Sequence, residues 1–308
     1  MPPEPVRVLV TGGSTGQLRR ELLGTVPDGV MLCEPSGIDA PRLDIGDVSA
    51  VREAFSRWRP DVVMNAAAYT AVDRAESEPE LARRVNVEGV RHLAEAAAES
   101  GARLINVSTD FVFGDAPRVG AGTPLPHGAP IPEHASTEPR SVYGSSKRDG
   151  ERVLAEILGA RGCTVRTSWV YASHGSNFVL TMLRLMNERE ELGVVADQIG
   201  SPTWARSLAL ALWRVVERDP AGTDGMLHWS GAGVASWYDL AVAVLEEGRA
   251  AGLVTGQPRI MPLATADYPT PAARPACSVL ETGRTRRLLD LPVVHWRAEL
   301  RAMLGELR

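Results

Sequence analysis

A short apolar run from Val6 to Val10 stops at Thr11-Gly12-Gly13 and gives way to helical spacing from Gln17 to Leu23. A run of that length bounded by glycines reads as a buried parallel strand. The alternation then repeats. Val30 to Cys33 is a second strand, and Val51 to Arg59 is a helix that Pro60 stops. Asp61-Val62-Val63-Met64-Asn65 is another buried strand, and a helix then runs from the Val72-Asp73 region through Asn86 and His92 to Ser100. Leu104-Ile105-Asn106-Val107 follows as the next strand. Strands separated by helices have little choice but an open, mostly parallel α/β sheet.

The totals exclude several functions. With 33 basic and 38 acidic residues the net charge is −5, which argues against a nucleic-acid coat or a polybasic membrane anchor. Cys33, Cys163 and Cys277 are too few and too scattered for a disulfide framework or a zinc site, and no metal-spaced cluster stands out. Met1 to Pro5 lacks the charged and apolar regions of a signal peptide, and no apolar run approaches membrane-spanning length, so a cytoplasmic location is expected.

Strand, glycine turn and helix form the context in which glycines signal dinucleotide binding, because the backbone approaches a pyrophosphate at a helix N-terminus. Gly13 and Gly16 fit the first two positions of G-x-x-G-x-x-G, and Arg19 stands at the third. Arg19 must therefore point outward, reach toward a phosphate, or push the helix from the sheet. Glu34, about 20 residues beyond the glycines, suits an adenosine ribose and favours NAD over NADP. In Leu43-Asp44-Ile45 an Asp can meet the adenine, and Ala66, Ala67 and Ala68 leave room for a flat ligand. Ser108-Thr109-Asp110 ends a strand at the edge where ligands of open sheets gather. After a Gly- and Pro-rich stretch from Gly114 to Pro139, with His127 and His134 read as solvated, a helix carries Tyr143 and Lys147 one turn apart on one face. An ammonium beside a phenol lowers its pKa toward the working range of a proton donor.

Further on, Cys163 to Trp169 reads as the sheet's sixth strand, Phe178 to Met186 as an amphipathic helix continuing toward Glu191, and Val194 to Gln198 as a short strand. Ala205 to Arg218 is helical, Leu227 to Ser230 a strand with a structural His228, and Trp237 to Glu247 a helix. Prolines keep Tyr268 to Pro275 out of regular helix, and Arg284-Thr-Arg-Arg287 reads as a solvated basic face.

Several stretches stand in a telling order: Gly13-Ser-Thr15-Gly16-Gln17 followed by Leu18, Asn65-Ala-Ala-Ala-Tyr-Thr70-Ala-Val72-Asp73, Ser108-Thr-Asp-Phe111-Val-Phe113 and Val142-Tyr-Gly-Ser-Ser-Lys147. With Arg166-Thr-Ser-Trp169-Val-Tyr171, Asn177-Phe178, Asp197 to Thr203 and Tyr268 to Pro275, the chain resembles the extended short-chain dehydrogenases/reductases, and more closely the dTDP-4-dehydrorhamnose reductase family of nucleotide-sugar 4-ketoreductases. The resemblance implies a Rossmann-type doubly wound parallel sheet binding NADPH or NADH, over residues 1–168. It implies a smaller α/β C-terminal substrate domain over 169–308, with residues 194–228 packing back onto the first. By the same resemblance Thr109, Tyr143 and Lys147 are the catalytic trio, and Thr15, Gln17 and Leu18 join the cofactor turn. Thr70, Val72, Asp110, Phe111, Trp169 and Asn177 fall on the substrate side, and Arg274 is a candidate pyrophosphate contact. The expected substrate is a dTDP-4-keto-6-deoxysugar, with a homodimer as a further expectation. Phe111 replaces a tyrosine usual in close relatives, which suits a modified deoxysugar.

Two other readings compete. Relatives also serve as a regulatory subunit of methionine adenosyltransferase, a binding role in which Arg19 would be tolerated. An epimerase or dehydratase of the same superfamily ranks behind both, because Ser108-Thr109-Asp110 lacks the Asp-Glu pair of dehydratases.

Overall fold

A computed structural model describes residues 4–33, 43–120, 122–126, 128–218 and 225–308. Glu34 and His127 lie outside the described residues. Apart from two-residue ladders, the strands are β1 (Val6–Thr11), β2 (Val30–Leu32), β3 (Val62–Asn65), β4 (Arg103–Thr109), β5 (Gly162–Thr167), β6 (Glu191–Val195), β7 (Met226–His228) and β8 (Arg259–Leu263). The main helices are α1 (Gln17–Gly24), α2 (Val48–Trp58), α3 (Gly89–Ser100), α4 (Val142–Leu158), α5 (Phe178–Glu188), α6 (Ala205–Arg218), α7 (Trp237–Ala250), α8 (Gly283–Leu289) and α9 (Trp296–Gly305).

Six strands form one sheet in the order β7-β5-β4-β3-β1-β2, parallel throughout. Successive side chains on a strand face opposite ways, and β1 shows the result. Val8 and Val10 pack with Leu22, Leu208, Leu212 and Trp213 on one face, while Leu9 packs with Val51, Phe55, Leu93 and Leu154 on the other. The sheet is thus covered on both faces, as parallel strands require. A separate core joins α5, α7, α9 and β6 through Val179, Met182, Leu240, Val244 and Leu300. β6 pairs in parallel with β8, a strand the sequence reading did not include, and ends at Val195 rather than Gln198.

Cys163 to Thr167 lies in β5, the fifth strand of the sheet in chain order; the sixth is β7, which returns to the edge beside β5. The single helix expected through Asn86 is broken into Val72–Ala75, Pro79–Arg83, a π-helical turn at Arg84–Glu88, and α3. Arg286 is buried rather than solvated. It donates to Ser230 O at 2.6 Å and to Pro292 O at 2.7 Å, and stacks over Trp229. His92 is half-buried, with its Nδ1 2.9 Å from Ile45 O. Cys33 and Cys163 are buried; Cys277 is half-buried.

Candidate active site

The register of the sheet levels the ends of β1 and β3, pairing Thr11 with Asn65, and sets Asn65 beside Asn106 within β4, which runs on to Thr109. Their side chains continue the ladder: Thr11 Oγ1 donates to Asn65 Oδ1 at 2.5 Å, and Asn65 Nδ2 donates to Asn106 Oδ1 at 2.8 Å. Asn65 Oδ1 also accepts from Ala67 N at 3.2 Å, which sets the course of Ala66-Ala67-Ala68 past the sheet edge. At this edge of the switch point between β1 and β3, open α/β sheets bind ligands.

Gly12 has φ of +128°, and a Cβ there would sit 3.4 Å from the Ala66 backbone. Glycine lets the two loops meet. Gly16 precedes α1 with no side-chain cap, so backbone N–H groups of Gln17 and Leu18 at the helix start are unspent by any cap. Gly13, Gly16, Gln17 and Leu18 are half-buried and Thr15 is exposed. Arg19 does not point outward: it is buried, with its Cβ facing the glycine turn. The Asp44 carboxylate pairs with Arg84 and accepts from Gly46 N, while Ile45 is buried against α3.

Thr109, Tyr143 and Lys147 come together beyond β4. Thr109 ends the strand and caps a short 3₁₀ turn, its Oγ1 accepting from Phe111 N at 3.2 Å and donating to Asp110 Oδ1 at 3.0 Å. Ser141 caps α4, and its first turn carries Tyr143, whose phenol faces the Thr109 hydroxyl and meets the Phe111 ring edge-on at 5.6 Å. Burial pushes that phenol up to about 12; the Thr109 hydroxyl pulls it down and the Asp110 charge pushes it further up. The lowering expected from Lys147 is not among the influences on the phenol, whose shift is set by desolvation. Lys147 Nζ donates to Val107 O at 2.7 Å, and burial brings its ammonium down to about 8 against the opposing pull of Glu151. Asp110 is buried and stands at about 6 through desolvation, with Ser278 and Thr109 pulling it down.

One positioning residue escaped the sequence reading. Asn86, in the π-helical turn, accepts from Tyr69 N and donates to Tyr69 O and to Ser146 Oγ, which in turn donates to Tyr143 O at 2.8 Å. It pins the loop after β3 to α4. π-turns often sit at functional sites, but Arg84-Val-Asn-Val-Glu88 continues the helical pattern and signals nothing unusual.

A cavity of about 470 Å³ opens between α5, β6 and the Tyr268–Pro275 segment, lined by Phe178, Val194, Gln198, Trp237, Tyr268 and Arg274 among others. Trp169 borders this region with φ of +49°, stacked on Trp237 at 3.6 Å. Gly200 leaves the space its ring occupies, since a Cβ there would lie 2.5 Å from it. Arg274 grips Asp73 in a bidentate pair (3.0 and 2.8 Å) and also donates to Thr270 Oγ1 and Ala272 O. Thr70 is exposed and Val72 half-buried, just ahead of Asp73. Asn177 caps α5 by accepting from Leu180 N and donates to Gln17 Oε1 at 2.9 Å, so it meets the cofactor-side turn.

The arrangement suits a dinucleotide. Asn106 Nδ2 and Ser108 Oγ in β4 and Thr167 Oγ1 at the end of β5 are buried without a protein partner. Buried polar atoms left without partners ask for a ligand or water. Among the described residues no His, Cys, Asp and Glu group could hold a metal ion, and no helix is long and apolar enough to cross a membrane.

Residues 6–308 match the family described as the RmlD substrate binding domain. The chain is 39% identical to a dTDP-4-dehydrorhamnose reductase of Aggregatibacter actinomycetemcomitans, over 96% of this chain and 97% of that one. It is 42% identical to one from Streptomyces griseus, over 97% of this chain and 92% of the relative. A dTDP-4-dehydrorhamnose reductase of Bacillus anthracis, solved in complex with NADP, superposes with a TM-score of 0.85 at 32% identity, covering 98% of this chain and 99% of that one. The trio at the end of β4 and these full-length similarities lead to one conclusion: the chain belongs to the dTDP-4-dehydrorhamnose reductase family.

Proposed function

We propose that this chain is an NAD(P)H-dependent reductase of the C4 ketone of a dTDP-4-keto-6-deoxyhexose. The observation that carries it is the meeting of Thr109, Tyr143 and Lys147 at the carboxyl edge of β4, beside a glycine turn and a separate 470 Å³ cavity. The reduced nicotinamide, when bound, supplies the hydride. Gly13, Gly16 and the start of α1 would hold its pyrophosphate, and Ala66 to Ala68 would border its flat parts.

Tyr143 gives its proton to the C4 oxygen as negative charge develops there. Its desolvated phenol needs help to release that proton. Lys147, one turn along α4 and already stripped of water, supplies a positive charge that lowers the cost of the phenolate. Thr109 hydrogen-bonds the same oxygen, and the aromatic group of Trp169, Trp237 and Phe178 supports the mouth of the nucleotide cavity. Residues 169–308, apart from the part returning through β7, would form the substrate domain. The regulatory-subunit reading loses its motive, since Arg19 is accommodated beside the glycine turn and the trio is intact.

The test is oxidation of NADPH or NADH on adding dTDP-4-keto-6-deoxyhexoses, followed by absorbance. Tyr143→Phe should reduce kcat by roughly 10²–10⁴-fold while leaving cofactor affinity in place. No turnover with either cofactor across a panel of such sugars, or a Phe variant of undiminished rate, would overturn the reading.

A further inference from the structure

Ser278 sits on a segment returning from the C-terminal part of the chain. Ile199 N donates to Ala276 O at 2.8 Å and Ser278 N donates to Ile199 O at 2.9 Å, which fixes the backbone on both sides of Cys277. The buried Ser278 hydroxyl is thereby aimed at Asp110 Oδ2, 2.6 Å away. The other carboxylate oxygen of Asp110 accepts the Thr109 hydroxyl.

A hydroxyl has one proton to give and two acceptor sites. Thr109 gives its proton to Asp110 and spends one acceptor site on Phe111 N. What remains is one acceptor site, so in this state Thr109 has no proton to give to a ketone. Protonation of Asp110 at Oδ1 reverses the chain: the carboxyl donates to Thr109, and the Thr109 proton turns toward Tyr143 or the substrate oxygen.

We propose that Asp110 and Ser278 are positioning residues that set the direction of the Thr109 hydroxyl, with Ser278 holding Asp110 in its charged form. The proposal rests on the reductase reading for its consequence in turnover. The groups facing the carboxyl are Thr109 and the backbone N–H groups of residues 110 and 111 on its own segment, Tyr143 from α4, and Ser278 from the returning segment. At about 6, Asp110 has both forms populated near neutrality.

The test is a carbon-13 NMR titration of the Asp110 carboxyl in the full chain without ligands, assigned by its loss in Asp110→Asn. A hydrogen bond to a charged group is worth enough that Ser278→Ala should raise the midpoint by about one pH unit or more. Ser278→Cys, of similar size but a weaker donor, should move it the same way, and Ser278→Thr should restore it. With a dTDP-4-keto sugar, the inflection in kcat against pH should move with the carboxyl midpoint, KM should stay in place, and Asp110→Asn should lack the inflection. A midpoint unmoved in both the Ala and Cys variants overturns the proposal, as does a kcat inflection that stays put when the midpoint moves. A wild-type chain with no turnover overturns the reductase reading instead, and the NMR titration still decides whether Ser278 sets the charge of Asp110.

Discussion

Asp110 is held against its solvation preference, and that has a cost in stability. Its carboxyl stands at about 6 instead of 3.8 because burial outweighs the hydrogen bonds from Ser278 and Thr109. A carboxyl raised in the native state binds its proton more tightly there than in the unfolded chain. Native stability therefore falls as pH rises from about 4 to about 6, and the loss persists above that window. The gap corresponds to roughly 3 kcal/mol. Asp110→Asn keeps the shape, removes the buried charge, and should be the more stable protein near neutrality, with the difference shrinking toward about pH 4. Urea unfolding of both proteins across this range checks it, and a variant no more stable than wild type near neutrality would count against the buried-charge account. The residues that meet at the candidate site were largely visible in the sequence: Tyr143 and Lys147 one helical turn apart, and Thr109 at a strand end. The charge states were not. Only burial places the phenol at about 12 and the ammonium at about 8, and burial depends on elements far away in sequence.

At the scale of elements, α4 lies unusually close to its neighbours, and two glycines permit it. A Cβ on Gly144 would lie 2.2 Å from Phe111 O, and one on Gly150 would lie 2.2 Å from Asn86 O. Both obstacles are backbone, so no side-chain rotation relieves them. Gly→Ala in a helix gains up to about 1 kcal/mol in propensity, whereas overpacking costs about 1–3 kcal/mol; the clash wins. Gly144→Ala and Gly150→Ala should each lower stability, and Gly144→Ala should also lower kcat by shifting Tyr143 against Thr109. Gly24, where a Cβ would meet nothing within 4 Å, is the control, and Gly24→Ala should leave stability unchanged or improved. Thermal unfolding of the three variants decides the matter, and a Gly144→Ala protein as stable as Gly24→Ala would remove the close-packing argument. The β–α alternation was legible because apolar period and glycine punctuation are local signals. The importance of Gly144 and Gly150 was not, since it lies in what faces them. β8 was missed for a related reason: Arg259-Ile-Met-Pro-Leu263 has no clean alternation, and its strand form depends on pairing with β6. Asn86 was passed over because a π-turn interrupts a helix without changing its composition.

At the scale of the whole molecule, the Arg274–Asp73 pair ties the segment that lines the cavity to the chain that follows β3. Asp73 lies in the short helix Val72–Ala75 just beyond Thr70, while Arg274 comes from the segment that lines the cavity. Asp73 also accepts from Ala272 N at 3.2 Å, so one carboxylate holds both the guanidinium and the backbone of the same segment. That hydrogen bonding keeps Asp73 below its ordinary pKa, with Arg274 the main cause. A clamp of this kind pre-orders a binding segment, so its loss should appear in substrate affinity more than in the chemical step. Arg274→Ala should raise KM for the dTDP-sugar about ten- to a hundredfold, the worth of a charge-assisted hydrogen bond, with a smaller change in kcat. Asp73→Asn should raise KM less, because Arg274 remains beside the cavity but is held more loosely. If Asp73 acts through Arg274, the double variant should bind no worse than Arg274→Ala alone, since contacting residues are not additive. Steady-state kinetics on the four proteins of this cycle measure the coupling directly. Fully additive effects would separate the two residues, and an unchanged KM in Arg274→Ala would take the clamp out of substrate binding altogether.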